Sequence, residues 1–97
     1  MSSNETKTVD QLGRVIIPLS LRKSLSLETN QKMLMHHVDN LLILKKASLA
    51  VDGQVVRSID ELGRIVLPKT FNLNWKEEDS IHFYQIEDAI VLTKKIA

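Results

Sequence analysis

The segment Lys7-Thr-Val-Asp-Gln-Leu-Gly-Arg-Val-Ile-Ile-Pro-Leu-Ser-Leu21 returns fifty positions later as Arg57-Ser-Ile-Asp-Glu-Leu-Gly-Arg-Ile-Val-Leu-Pro-Lys-Thr-Phe71. Five of the fifteen positions are identical, and nine others are exchanges between chemically similar residues. The similarity resumes at an offset of 48, where residues 38–46 align with residues 86–94. Chance does not produce two such matches in the same order, so the chain consists of two copies of one unit. We place the first repeat at residues 1–48 and the second at residues 49–97.

Each repeat has the pattern of four short strands and one short helix. The β-branched apolar runs at 15–17 and 65–67 favour buried strands, and the glycine before each run favours a tight turn. A proline follows each run, and proline is tolerated where a helix begins. We expect a helix at 19–25 and only a helical turn in the second repeat. Alternating apolar residues on both sides of a polar pair then predict a hairpin in each repeat.

The length of the chain bounds the number of cores. It has 97 residues, which suits one domain. Four short strands are too few to enclose a core alone, so the two β-β-α-β-β repeats must pack together. We therefore predict a mainly β fold with short helices and a single core shared by both repeats.

Composition excludes several classes of protein. The chain has no cysteine, so disulfides, a cysteine nucleophile and thiolate-bound zinc are excluded. Its longest apolar runs are four residues, far below the ~20 that a membrane-spanning helix needs. The N-terminal residues are polar and lack the apolar stretch of a secretory signal. We expect a cytoplasmic protein with no membrane partner.

Residue types that often carry catalysis or bind metal do not form a familiar motif in this sequence. His36 and His37 are adjacent in a predicted strand, so they point to opposite faces and cannot chelate one ion together. We find no catalytic serine–histidine–acid pattern and no phosphate-binding glycine loop. The sequence therefore predicts no enzyme, no cofactor and no metal site.

Basic side chains are concentrated in the first repeat. It carries seven basic and four acidic side chains, a net charge of +3, whereas the second carries six basic and eight acidic ones, a net charge of −2. Arg14 and Arg64 each follow a turn glycine, which places a guanidinium on an exposed loop in both copies. Guanidinium groups bind phosphates and guanine edges through two hydrogen bonds, so this doubled arginine favours a nucleic-acid partner. Asp10 and Asp60 are expected to accept hydrogen bonds from the turn amides.

The doubled Asp-x-Leu-Gly-Arg stretch, with its apolar triplet and proline, resembles the AbrB/SpoVT-like DNA-binding domain. This belongs to the swapped-hairpin group that also includes MazE-type antitoxins and the MraZ regulators. The resemblance covers residues 7–46 and again 57–95. It implies that the two copies interleave their hairpins into one small pseudo-dimeric β-barrel. It also implies a DNA-binding set that consists of Lys7, Arg14, Arg22, Lys23, Arg57 and Arg64.

The second copy departs from that DNA-binding set, because Asn72 and Leu73 replace the basic pair of the helix. We expect acidic residues to surround Arg57 and Arg64 and to weaken DNA contact by that copy; they are Asp60, Glu61, Glu77, Glu78 and Asp79. One chain then offers few strong basic contacts, which favours a homodimer.

Three functions are compatible with these features. The leading one is a DNA-binding transcriptional regulator, cytoplasmic and associated with the nucleoid. An antitoxin is the first alternative, but its toxin-binding tail needs length and this sequence ends at Ala97, so a toxin partner is disfavoured. The second alternative is a protein-interaction adaptor with weak DNA binding.

Overall fold

The computed structural model of this chain describes residues 5–47 and 53–94, so the predicted repeat boundary at 48/49 lies outside the described residues. The fold is mainly β, with 47% of the described residues in strands and a single short α-helix. The elements in chain order are β1 (Glu5–Thr8), β2 (Arg14–Ile16), α1 (Leu19–Ser24), β3 (Lys32–Val38), β4 (Leu41–Lys46), β5 (Val55–Ser58), β6 (Arg64–Val66), β7 (Ser80–Ile86) and β8 (Ala89–Lys94). A 3₁₀ turn, Lys69–Phe71, follows β6.

The strands of the two repeats are interleaved within one antiparallel sheet. Its order is β1-β7-β8-β4-β3-β5, and β2 and β6 form a separate two-stranded ribbon. The first strand of each repeat pairs with the hairpin of the other repeat, β1 with β7 and β5 with β3. The two hairpins meet where β4 pairs with β8. Neither repeat has a sheet of its own, so the core is shared as predicted.

The pairing registers have a pseudo-twofold symmetry that follows the repeat. Val15 pairs with Ile65 at the centre of the ribbon, and these positions are related by the offset of 50. Ile43 pairs with Val91 at the centre of the β4–β8 pair, and these are related by the offset of 48. The two-residue shortening between these segments lies in the connection that follows the ribbon strand, so both registers are preserved.

The prediction of a closed β-barrel is wrong. Among the described residues, the six-stranded sheet ends at β1 on one side and at β5 on the other, and these edge strands do not pair with each other. Both edges are four residues long. The strands β2 and β6 pair with each other instead of extending an edge, so the ribbon is a second layer and the main sheet stays open.

The core is built from equivalent positions of both repeats. Seven of its buried residues from the first repeat have a buried counterpart in the second; the pairs are Val9/Ile59, Val15/Ile65, Ile17/Leu67, Met33/Ile81, Met35/Phe83, Leu42/Ile90 and Leu44/Leu92. Alternation along the strands directs these side chains to one face, because successive strand residues point to opposite sides. No polar or charged side chain is buried among the described residues. Apolar burial therefore joins the two repeats, together with the strand pairing between them.

The connection after the ribbon strand differs between the repeats. In the first repeat it is the helix α1, six residues long, whose Leu21 is buried. In the second it is the three-residue 3₁₀ turn, which ends at Asn72 in the left-handed conformation with φ of 56°. The expected reduction from a helix to a helical turn is confirmed. Within residues 5–47 and 53–94 no helix has the length and apolar character needed to cross a membrane.

Candidate nucleic-acid interface

Each repeat carries one tight loop organised by an aspartate. Asp10 Oδ1 accepts hydrogen bonds from the amides of Leu12 (2.9 Å) and Arg14 (2.8 Å), and the Asp10 carbonyl accepts one from Gly13. The second loop repeats this pattern from Asp60, with the same two distances to Leu62 and Arg64. Gly13 and Gly63 have φ of 78° and 84°, which suits glycine because it has no Cβ. Both aspartates therefore cap their turns as predicted.

The same aspartates also orient the loop arginines, which the sequence analysis did not anticipate. Asp10 Oδ2 accepts a hydrogen bond from Arg14 Nε at 2.7 Å, and Asp60 Oδ2 accepts one from Arg64 Nε at 2.6 Å. The signal available in the sequence was the spacing of four residues between each aspartate and its arginine. Each ion pair uses Nε, and the two terminal nitrogens of each guanidinium have no hydrogen-bond partner among the described residues. The arginines are thus held in place with their outer edge free to bind.

The aspartates remain ionised at neutral pH. Desolvation alone would raise the pKa of Asp10, but hydrogen bonds from Arg14 and the Leu12 amide, with the charge of Arg14, outweigh it. The pKa of Asp10 consequently lies below its ordinary value of 3.8, and the same balance lowers that of Asp60. Because both pKa values are lowered in the folded chain, the stabilising pairing is present above pH 3.8 and is lost as the pH falls below it.

Both arginines lie on one face of the β2–β6 ribbon. Val15 and Ile65 point into the core, so the residues on either side of them point outward. Arg14 pairs with Val66 and Ile16 pairs with Arg64, which makes the arginines diagonal neighbours across the ribbon. The backbones of such neighbours are about 7–8 Å apart. Two cationic side chains on one face repel each other, and the carboxylate paired with each guanidinium offsets that repulsion.

Arg22 connects the two repeats. Its Nε donates a hydrogen bond to the Ile17 carbonyl at 2.8 Å. Its guanidinium covers Gly63 so closely that a Cβ on that glycine would lie 2.5 Å from Arg22 Cζ. The Gly63 carbonyl also accepts a hydrogen bond from the Ile17 amide across the ribbon, at 2.9 Å. A predicted DNA-binding residue of the first repeat is therefore placed beside the loop of the second.

Alanine substitutions at the two loop glycines are expected to differ in cost. Gly13→Ala should destabilise the chain by about 1–2 kcal/mol because of its positive φ alone, since a Cβ there meets nothing within 4 Å. Gly63→Ala should cost about 1 kcal/mol more, because Arg22 must move away and lose its bond to Ile17. Urea unfolding of the two variants measures the difference. It should disappear in an Arg22→Ala background, and equal costs in the native background would show that Arg22 does not cover Gly63.

The other predicted residues surround the ribbon from different elements. Lys7 is half-buried on the edge strand β1, and Arg57 occupies the equivalent position of β5 with Nη1 donating to the Val56 carbonyl at 3.1 Å. Arg57 lines a cavity together with Gly13 of the first loop. Lys23 is exposed on α1. Each loop thus has a basic residue of the opposite repeat beside it, Arg22 for the second and Arg57 for the first.

The acidic segment of the second repeat does not lie where we expected. Glu78 donates its amide to the Val9 carbonyl at 2.8 Å, and the Val9 amide donates to the Asp79 carbonyl at 3.0 Å. Val9 leads directly into the loop of Arg14. The interleaved strands therefore place residues 77–79 beside the first loop, and the expectation that this segment flanks Arg64 is corrected. One reason for assigning weaker DNA contact to the second loop is removed.

Exposed apolar side chains share the arginine face, and the sequence analysis did not single them out. Leu12 and Leu62 at the loop tips are 65% and 58% exposed, and Ile16 and Val66 on the ribbon are 39% and 44% exposed. Two signals were available in the sequence: Leu12 and Leu62 directly precede the turn glycines, and Ile16 and Val66 each lie between two buried residues of the apolar run. Among the described residues, no three histidine, aspartate or glutamate side chains are grouped to hold a metal ion.

Comparison with known proteins supports the fold alone. No protein-family model matches the sequence, and no curated protein is significantly similar to it. The chain is similar to the solution structure of PHS018 from Pyrococcus horikoshii, with a TM-score of 0.53 and 18% sequence identity. The match covers 96% of this chain and 88% of that one. A likeness at this identity extends to the backbone arrangement of nearly the whole chain.

Proposed function

We propose that this chain is a DNA-binding regulator of transcription of the AbrB-like type, which contacts double-stranded DNA through the outer face of the β2–β6 ribbon. The observation that carries the proposal is the pair of equivalent loops in which Arg14 and Arg64 stand on one face, each oriented by a carboxylate. An arginine that is already positioned loses less side-chain freedom on binding. Two such groups on one face suit a polyanion better than a single surface arginine does.

The two-stranded form of the ribbon suits the major groove of DNA. The major groove is wide enough to admit a two-stranded β-ribbon, and proteins that read DNA in this way present side chains from its outer face. Arg14 and Arg64 are diagonal neighbours on such a face, and their terminal nitrogens are available for phosphates or guanine edges. The basic residues around them add phosphate contacts in this proposal; they are Lys7, Arg22, Lys23 and Arg57.

The strand order supports the AbrB-like assignment. In the resemblance drawn from the Asp-x-Leu-Gly-Arg repeats, two copies exchange their hairpins, and here each repeat gives its first strand to the hairpin of the other. We propose that a homodimer of chains supplies further DNA contacts, and that the protein works at the nucleoid in the cytoplasm. A regulator of this kind needs neither catalysis nor a cofactor, so we propose no enzymatic activity.

A gel-shift titration on genomic DNA fragments tests the proposal. We expect retarded complexes whose affinity falls steeply with salt, with a slope of log affinity against log salt of about −0.9 for each phosphate contact. Unlabelled competitor DNA of unrelated sequence separates sequence preference from general attraction. A chain that is folded and retards no fragment even at low salt would refute DNA binding.

A protein-interaction adaptor is the second candidate, and one observation favours it. The arginine face also exposes Leu12, Leu62, Ile16 and Val66, and contiguous exposed apolar residues often mark protein interfaces. Replacing Leu12 and Leu62 by serine separates the two functions. DNA binding through the arginines should survive this change, whereas binding to a protein partner should not.

A further inference from the structure

A cavity of about 500 Å³ lies beside the first loop, on the side of the connection that follows β6. Its lining includes Gly13 of the first repeat and Asn72, Leu73 and Trp75 of the second. Leu73 and Trp75 are half-buried and pack against the core. The volume falls within the range of about 300–1,000 Å³ that is usual for small-molecule sites.

The cavity arises from a break in the pseudo-twofold symmetry. At the equivalent place in the other half of the molecule, the Arg22 guanidinium covers Gly63. The residue fifty positions after Arg22 is Asn72, which lines the cavity, and a Cβ on Gly13 would meet nothing within 4 Å. The space above Gly13 therefore corresponds to the volume that the planar Arg22 guanidinium fills above Gly63.

The lining defines the chemistry of a ligand. Its walls are largely apolar, with Trp75, Leu73 and Pro68 among them, and its charged residues are Arg57 and Lys69, both cationic. Arg57 donates Nη1 to Val56, and its other nitrogens have no hydrogen-bond partner among the described residues. We propose that this cavity binds a small planar organic anion, an aromatic ring system that carries a carboxylate or sulfonate. The ring lies against Trp75 and the Gly13 backbone, and the anionic group faces Arg57 and Lys69.

The proposal goes beyond the proposed DNA-binding function and does not depend on it. The lining includes Leu12 and Gly13 of the loop that holds Arg14, and also Val66 of the ribbon and Arg57, which is a phosphate contact in the proposed DNA-binding function. A bound anion therefore lies at the border of the arginine face. Ligand binding and DNA binding are separable measurements on the same full-length chain.

The probe is 8-anilinonaphthalene-1-sulfonate, an aromatic sulfonate that fluoresces in apolar sites, titrated into the folded full-length chain. Trp75 is the single tryptophan of the sequence, so loss of its emission by energy transfer to the probe reports binding near it. N-phenyl-1-naphthylamine has the same rings without the sulfonate and serves as the neutral control. We expect one saturable site per chain, quenching of Trp75, and at least about tenfold weaker binding of the neutral compound, because a charge-assisted pair is lost.

Two substitutions test the cavity itself. Asn72→Arg supplies the side chain that fills the equivalent space above Gly63, and we expect it to weaken probe binding at least about tenfold by occupying the site. Ser24→Arg adds the same charge at an exposed position of α1 and should leave binding unchanged. Lys69→Glu reverses the charge of an exposed residue that lines the cavity, so it tests the site without disturbing the core. Lys76→Glu makes the same change at an exposed residue outside the lining and is the matched control.

The outcomes separate clearly. Weakening by Asn72→Arg and Lys69→Glu, with unchanged binding in both controls, supports the site. If Asn72→Arg does not fold, Lys69→Glu against Lys76→Glu decides alone. Unchanged probe binding in Lys69→Glu, equal binding of the neutral compound, or probe binding without quenching of Trp75 would each overturn the proposal.

Discussion

Replacing Arg14 and Arg64 together by alanine is expected to lower DNA affinity by at least about thirtyfold. Each arginine that contacts a base or phosphate contributes about 1–3 kcal/mol, and every 1.4 kcal/mol is tenfold in affinity. The two single variants should lose similar amounts, because their ion pairs are 2.7 and 2.6 Å long and the guanidinium side chains are 23% and 25% exposed. Fluorescence anisotropy with a DNA fragment selected by gel shift, at two salt concentrations, measures all three.

The matched control removes two charges elsewhere. Lys32 and Lys45 are exposed on β3 and β4 of the six-stranded sheet, and their double alanine variant should bind DNA nearly as well as the native chain. Replacing both loop arginines by lysine keeps the charge and removes the planar fork, so affinity should fall to an intermediate value. If the variant with alanine at both loop arginines stays folded and binds DNA as tightly as the Lys32/Lys45 double alanine variant, the ribbon face is not the contact.

The internal repeat predicts the greater part of the fold because it constrains the strands twice. The run at 15–17 and its copy at 65–67 have to be buried and have to pair in equivalent environments, which β2 and β6 satisfy. Whether the sheet closes into a barrel was not predictable in the same way, and the sheet is open. Alternating apolar residues determine which face of a strand is buried, whereas the partner of an edge strand depends on how the layers twist and pack.

The two loops of the candidate site were predictable from the sequence, but the arrangement of the residues around them was not. The turn glycines and aspartates identify the loops of Arg14 and Arg64, because only short-range hydrogen bonds are involved. Contacts between repeats depend on the interleaving. Arg22 covers Gly63 and the acidic segment at 77–79 borders Val9, and neither follows from the distance between these residues along the chain. Local chemistry therefore predicted the geometry of the two arginine loops, and tertiary packing decided which of the candidate residues lie together.

A fragment of residues 1–50 is expected to have no folded monomeric form. It keeps the β3–β4 hairpin and α1, but the partners of its other strands lie in the second repeat, β7 for β1 and β6 for β2. A two-stranded hairpin alone is marginal in water, and the buried side chains of the first repeat would lose the matching half of the core. The fragment should be unfolded, or it should dimerise, because the registers are nearly the same in both repeats and a second copy supplies equivalent partners.

Amide spectra and translational diffusion together identify the state of the fragment. The control is the full-length chain cleaved at a protease site inserted after residue 50, whose two pieces should stay associated because they still share the sheet and the ribbon. Mixing separately produced fragments 1–50 and 51–97 should restore the dispersed spectrum of the intact chain. Dispersed amides at a monomer's diffusion rate for residues 1–50 would mean that one repeat completes its own core. In that case the pairing of β1 with β7 and of β2 with β6 is not what holds the fold together.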